Sequence, residues 1–518
     1  MKVGGNLNYL EDYLFWRLAH YFITEQKYRL VQLSKDQKEL WLEKRENKTA
    51  QLIRLLRFDI DWSNWMQQDI ERIAAKGEGL RKQITRGELH VFNVYVSAYP
   101  PVDDYALRID QPYKHPVSNK TIVKTSIIER TTFQQRTQQI GNEFGSSFGD
   151  LPSQTDDFSE LVDQLKKETM SLAVAEVEKE RSLFEYGKPF FTYFFIVIQV
   201  IMFIILEAFG GSTDTSTLIK FGAKFNPLIL EGEWWRLFTP IFLHIGFFHL
   251  LMNTFALYYL GTAVERIFGR ARFLFIYIIA GLGGSIASFF FSPNLSAGAS
   301  GAIFGCFGAL LYFGVIYPKL FLRTMGANIF IVLVINLSFG FTVPGIDNAG
   351  HIGGLIGGFL ATGVVHFPKK RKIWLQMTFT VVAILLASGL LRFGFANPSF
   401  VLDESSVLMM SQEYIQNEEY EKAYELLIQT QQEKELSSQY YFLLSYSEIK
   451  LNKIKDAKNT LLKAVELDPS LHEAHYNLAL VYMDLQESDQ AYEHAKKAAE
   501  IAPNNQAYND LLKQFGGS

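Results

Sequence analysis

The chain has 518 residues, 54 acidic against 50 basic side chains for a formal charge of −4, and a single cysteine. That length is too great for one ordinary domain and suggests about three. A 48% hydrophobic and 14% aromatic content excludes global disorder, and the lack of a basic excess excludes a protein built to neutralise nucleic-acid phosphates. Cys306 has no second cysteine for a disulfide or a thiolate metal cage, so stability must come from packing.

From the N-terminus, MKVGGNLNYLEDYLFW lacks the basic start, unbroken apolar run and small-residue cleavage site of a secretory signal, so this end is expected to stay in the cytoplasm. Period-two runs at 89–99 (LHVFNVYVSAY) and 121–131 (TIVKTSIIERT) predict strands among helical patterns. Residues 1–180 are therefore expected to form a soluble cytoplasmic α/β domain with a possible regulatory role. Within it Asp59, Asp61, Asp103, Asp104 and Asp110 are oxygen ligands of the kind Mg²⁺ or Mn²⁺ accepts, which raises a regulatory divalent-cation site as one reading. Solvated loop aspartates are the ordinary alternative. The composition of 141–157 predicts a loop, and 158–185 reads as an amphipathic helix leading to the next segment.

A mean hydropathy close to zero conceals a concentration of apolar residues between 189 and 396. Crossing about 30 Å of hydrocarbon takes about 20 mostly apolar residues as a helix, because lipid offers the backbone no hydrogen bonds. Seven stretches qualify: 189–206, 240–264, 273–292, 299–317, 327–343, 349–367 and 373–396. The alternation of an outer-membrane barrel is absent. The expected core at 189–396 is thus polytopic and α-helical, with seven transmembrane helices in the lipid bilayer of the cell. Arg266, Arg270 and Arg272, then Lys319 and Arg323, then Lys369, Lys370, Arg371 and Lys372 all fall on the side of the N-terminus, as the positive-inside rule requires of the cytoplasm. The loops 292–298 and 344–348 contain no Lys or Arg, although the longer first outer loop carries Lys220, Lys224 and Arg236. An odd number of spans then puts the C-terminal segment outside the cell.

That segment repeats with a period of 34: Ala423, Ala457 and Ala491 align, as do Pro469 with Pro503, Tyr441 with His475 and Leu444 with Leu478. Small residues where paired helices touch and Pro at the end of each unit match the tetratricopeptide pattern over 405–514, with a degenerate first unit. An all-α solenoid of this kind offers a face for a peptide or protein partner, or serves only as a cap.

Candidate chemistry lies inside the membrane segment. Gly298-Ala299-Ser300-Gly301 falls where an uncharged outer loop enters the fourth span, which puts Ser300 at a helix N-terminus. Unpaired N–H groups and the helix dipole there favour an oxyanion. Interhelical hydrogen bonding is the common alternative for such a serine. A serine nucleophile needs a base, and His351 starts the sixth span at matching depth, with Gly354 and Gly358 on its helical stripe. Gly301 and Gly305 give the fourth span the same small-residue spacing, so the two helices can pack closely and bring His351 to Ser300. Alone, the histidine reads equally as a packing or proton-relay residue. His249 and Asn253, four apart on one face of the second span, could donate to an oxyanion or bond between helices. Cys306 reads as packing.

These residues resemble the rhomboid intramembrane serine proteases. The likeness runs from Trp235-Arg236 through His249-x-x-x-Asn253, Gly261-Thr262-Ala263-Val264-Glu265 and Gly298-Ala299-Ser300-Gly301 to His351-x-x-Gly354-x-x-x-Gly358. It covers about 200 residues, and a tetratricopeptide tail after seven spans is similar to a group of rhomboids from Gram-positive bacteria. The resemblance implies an intramembrane serine endopeptidase that cleaves transmembrane segments of single- or multi-span membrane proteins. It implies Ser300 as nucleophile, His351 as base in a dyad without a carboxylate, and His249 and Asn253 as oxyanion donors with the Ser300 N–H. It also implies a wet cavity open to the outer face, a mobile fifth helix and cap loop, and a preference for a small residue before the cut. No cofactor is implied. Some relatives carry Tyr and Ala where this chain has Phe304 and Gly350; Phe304 can still stack on the imidazole but brings no hydroxyl. An inactive rhomboid-like binder of membrane clients is disfavoured because both Ser300 and His351 are present. A proton-coupled transporter is disfavoured because the spans supply no central carboxylate.

Overall fold

The computed structural model describes residues 9–84, 87–145, 148, 158–343, 345–431 and 436–515. The chain divides into two compact units, Met1–Leu183 and Phe184–Ser518.

The first unit is built on a six-stranded sheet of order β1-β2-β3-β4-β6-β5, with β1 Arg29–Leu33, β2 Glu39–Glu43, β3 Leu52–Arg57, β4 Leu89–Val96, β5 Tyr113–Lys114 and β6 Thr121–Ile128. β3, β4 and β6 run parallel, whereas β1, β2 and β3 pair antiparallel. Helices α1 (Leu10–Thr24), α4 (Phe133–Glu143) and α5 (Phe158–Phe184) pack on one face, and α2 (Ser63–Ile84) on the other, with α3 (Ala106–Asp110) between β4 and β5. Alternation sorts the side chains: Ile53, Leu55, Phe92 and Val94 meet α1, while Leu52, Leu56, Val91 and Tyr95 meet α2. The two strands legible in the sequence are β4 and β6. β2 and β3 hide behind charge, because Arg54 is buried and paired with Asp69 at 2.6 Å and Glu39 at 2.7 Å. The expected loop at 141–157 begins later, since α4 continues through Glu143; residues 146–147 and 149–157 lie outside the described ones, as do 1–8 of the opening segment.

Among the described residues of the second unit, six helices are long and apolar enough to cross a membrane: α6 (Phe191–Ala208), α9 (Phe247–Phe268), α10 (Arg270–Phe291), α12 (Pro318–Thr342), α13 (Asn348–Val365) and α14 (Ile373–Ala396), with α7 (Thr215–Lys220) and α8 (Asn226–Leu230) in the loop after α6. α11 (Ser300–Ile316) is apolar but shorter, at 17 residues. The second span starts later than the expected 240, because Pro240 sits in a 3-10 turn and Gly246, at φ +77°, breaks the chain before α9. Outward side chains such as Ile204, Phe255, Ile335 and Leu385 are exposed, as lipid-facing surfaces require. α10, α11 and α13 form the interior.

Glu265, fully buried in α9, accepts from the Phe190, Phe191 and Thr192 N–H groups at 2.8–3.0 Å and from the Thr192 hydroxyl at 2.8 Å. It satisfies the N-terminus of α6 and pins two spans together. Glu265→Ala strands those donors, and a loss of roughly 2–4 kcal/mol is expected, read as a lower unfolding midpoint of the purified protein in detergent.

After α14, the short α15 (Pro398–Val401) leads into α16 (Glu404–Gln416), α17 (Tyr420–Thr430), α18 (Ser438–Lys450), α19 (Ile454–Leu467), α20 (His472–Asp484), α21 (Ser488–Ile501) and α22 (Gln506–Phe515). The aligned alanines Ala423, Ala457 and Ala491 are all fully buried at helix contacts. Glu418, Asn452 and Gln486, again 34 apart, take left-handed φ of 62°, 59° and 62° in the turns between paired helices.

Glu448 in α18 is buried with Oε2 unpartnered, and burial pushes its carboxyl from the ordinary 4.5 up to about 7. A raised acid favours the fold when protonated, so that stability is present below about pH 4.5 and is lost as pH rises to 7. Glu448→Gln should slow hydrogen exchange in α18 and α19 at pH 8, by roughly 1–3 kcal/mol, with little effect at pH 4.5.

Candidate active site

Ser300 is the first residue of α11, and the chain ahead of it explains the position. Gly298 has φ +153°, and its N–H donates to the Pro240 carbonyl at 2.9 Å, anchoring the loop one step before the helix. No side chain caps the first turn of α11, so its N–H groups are left for a ligand.

His351 lies in the first turn of α13. Asp347 caps that helix, its Oδ1 accepting from the Gly350 N–H at 2.8 Å. The imidazole stacks on Phe304, with ring centroids 4.2 Å apart and planes 11° from parallel. Its Nδ1 is buried without a hydrogen-bond partner, so the aromatic face, rather than a carboxylate, holds the ring.

Glycines bring these two helices together. A methyl group on Gly354 would run into the Gly301 carbonyl, and one on Gly358 into Gly305; one on Gly301 would stand 3.3 Å from the Gly350 carbonyl. Gly301 follows Ser300 and Gly350 precedes His351, so the alcohol and the imidazole belong to adjoining first turns.

His249 in α9 completes the cluster. Its Nδ1 accepts from the Ile245 N–H at 3.4 Å, a weak bond that assigns the proton to Nε2. A Cβ on Gly298 would be 2.7 Å from His249 Cε1, 3.0 Å from that Nε2 and 3.8 Å from Ser300 Oγ, so both polar atoms come up to the same glycine, where no side chain fits. Asn253, one turn on and buried, spends one N–H on the His249 carbonyl at 2.9 Å, which leaves the other to donate. The arrangement sets the Ser300 alcohol and the His249 imidazole beside one glycine and His351 in the adjoining first turn, groups of the kind acyl transfer uses.

Comparison with known proteins agrees. Residues 231–369 match the rhomboid domain model, and residues 446–486 and 472–505 match tetratricopeptide repeat models. The chain is 41% identical over 480 residues to rhomboid protease GluP of Bacillus subtilis (strain 168), covering 92% of each. The chain belongs to the rhomboid family. It is a rhomboid-type intramembrane serine protease, a hydrolase. RHOMBOID-like protein 5 of Arabidopsis thaliana is 40% identical over 198 residues, 33% of this chain and 64% of the plant protein. Rhomboid-like protease 1 of Toxoplasma gondii is 37% identical over 181 residues, 33% of this chain and 61% of that one.

Two residues of this rhomboid escaped the sequence reading. His244 is fully buried, and its ring meets that of His249 edge to face at 5.4 Å. The signal was a third polar residue, His244, ahead of His249 and Asn253 in an apolar stretch. Asp347 was visible as a cap only once the start of α13 was known. Cys306 is fully buried, as a packing residue should be.

The aspartates of the first unit serve local structure. Asp103 accepts from the Ser63 N–H and hydroxyl, both at 2.6 Å, at the start of α2, and these bonds hold its carboxyl below the usual range. Asp59 accepts from the Ala98 N–H, Asp61 from the Tyr99 hydroxyl and Asp104 from the Ala106 N–H, while Asp110 is exposed at the end of α3. Among the described residues no three His, Cys, Asp or Glu side chains gather closely enough to hold a metal ion.

Gly298→Ala should put a methyl group against His249 and beside Ser300. Because Gly298 has φ +153° and the methyl would stand 2.7 Å from His249 Cε1, the expected result is a lowered unfolding midpoint together with reporter cleavage lowered by about 100- to 1,000-fold in the folded fraction.

Proposed function

We propose that this rhomboid cuts transmembrane segments of other membrane proteins with a Ser300–His351 dyad. The observation that carries this reading is the glycine seam that sets Ser300 and His351 in adjoining first turns, with Ser300 Oγ and His249 Nε2 both beside Gly298. Ser300 Oγ attacks the peptide carbonyl carbon while His351 takes its proton, and the charge forming on the carbonyl oxygen is met by His249, Asn253 and the Ser300 N–H. His351 returns the proton to the leaving amine, and water then hydrolyses the acyl ester. An alcohol and an imidazole suffice for these steps, so no cofactor is assigned, and the aspartates of the first unit, which do not gather into a metal-holding group among the described residues, are assigned no cation. A helical substrate hides its carbonyls in backbone bonds, so segments that unwind at Gly, Pro or polar residues are preferred.

In this reading α11 also crosses the bilayer, as the fourth of seven spans. Its 17 residues rise about 26 Å, short of the hydrocarbon thickness, which supports a position for Ser300 below the outer surface. The basic loops support a cytoplasmic N-terminal domain at 1–180, a protease core at 189–396 and extracellular repeats at 405–514 whose face takes a peptide or protein partner.

Cleavage of a single-span reporter by the purified protein tests the dyad. Ser300→Ala and His351→Ala should each cut at least about 1,000-fold more slowly than the parent; retained cleavage in both would refute it.

A further inference from the structure

The first helices of the repeats do not hang free of the protease core. Phe225, in the loop after α6, is buried in one cluster with Leu402, Val407, Met410 and Tyr414, and Leu295, from the loop that leads to Ser300, packs against that cluster. Leu295 also packs against Leu206, Leu218, Leu243 and Ala297 beneath it, so a single side chain joins the repeat core to the interior of the outer loops. The Tyr414 hydroxyl donates to Glu231 just after α8.

Polar groups fix the same junction. Lys224 pairs through its backbone with Ser296, at 2.8 and 3.0 Å, and its buried Nζ donates to the Ser292 and Asn294 carbonyls at 2.6 and 2.9 Å. Asn226 is fully buried, and its Nδ2 donates to the Val401 carbonyl at 2.6 Å, to Phe289 at 3.0 Å and more weakly to Ser292 at 3.4 Å. One carboxamide thus ties the segment entering the repeats to the end of α10 and the start of the 292–299 loop. The anchor of Gly298 on Pro240 closes that loop at its other end. A segment pinned at 292, 294, 296 and 298 has little freedom to relax before Ser300.

We propose that Asn226 is a positioning residue for Ser300, and that the first repeat helices α16 and α17, seated on Phe225 and Leu295, are a structural part of the protease rather than a tethered recruiting arm. This rests on the assignment of Ser300 as nucleophile. Disturbing the junction shifts the loop and misplaces the alcohol against His351 and His249, so the chemical step suffers even for a substrate that needs no recruitment.

The test uses the full-length chain in detergent and a fluorophosphonate, which phosphonylates an activated serine with loss of fluoride and engages no repeat face. Labelling rates, kcat and KM on a minimal single-span reporter, and unfolding midpoints are compared for the parent, Asn226→Ala, Leu295→Ala and Tyr414→Phe. Leu511→Ala, in the core of the last helix, controls for general destabilisation of the repeats. Asn226→Ala is expected to lower labelling and kcat by about 10- to 100-fold with KM unchanged. Leu295→Ala and Tyr414→Phe should lower both by smaller factors, and Leu511→Ala should change neither. Should Asn226→Ala not fold, the decision passes to Leu295→Ala and Tyr414→Phe. Parental labelling rates in every folded junction variant would overturn the proposal, as would an equal loss in Leu511→Ala. A parent that cleaves the reporter but is not labelled at Ser300, or cleavage retained in Ser300→Ala, would instead remove the nucleophile assignment beneath it.

Discussion

Backbone-to-backbone contact between α11 and α13 is the constraint on which the site depends. Lipid supplies no hydrophobic force to press two helices together, so close approach has to come from surfaces without side chains and from dispersion between main chains. Gly301 against Gly350 and Gly354, and Gly305 against Gly358, provide such surfaces, and Gly284 of α10 reaches the same seam. Any Cβ there would separate the first turns of the two helices, and with them Ser300 from His351. The same glycines therefore serve stability and chemistry.

Once that seam is fixed, the His351 ring is held by an aromatic face and its helix by one carboxylate cap. Stacking on Phe304 orients His351, a cap by Asp347 starts its helix, and the bare N-terminus of α11 leaves N–H groups unspent. Beyond Asp347, charge braces the edges: Glu265 at the start of α6, and Lys224 and Arg236 in the outer loop, where Arg236 donates to the Ile219 and Ala223 carbonyls. Each satisfies backbone groups that would otherwise be buried alone, so the ionisable residues of the core act as braces for chain ends and loops.

Much of this was legible because its physics is periodic or local. Span lengths follow from bilayer thickness, and α14 matched its expected limits at 373 and 396. The 34-residue repeat announced itself through alanines at helix contacts, and the strands β4 and β6 through alternation. What stayed hidden depended on distant partners. β3 carries a buried Arg54 that only Asp69 and Glu39 make tolerable, and the start of α9 is moved by a glycine whose backbone angle a sequence does not display. His244 has meaning only beside His249, and the local hydrogen bonds of Asp59, Asp61, Asp103 and Asp104 depend on partners the sequence does not pair with them.

The sequence by itself determined the classes of segment, the order of the motifs and the family, because hydropathy, repeat period and motif spacing are properties of neighbours along the chain. Tertiary structure alone decided that His249 Nε2 and Ser300 Oγ both come up to Gly298, and that the first repeat helices pack on the loop preceding α11. Those are contacts between residues tens to hundreds of positions apart, set by how backbones pack and where buried donors find carbonyls, and no local pattern encodes them.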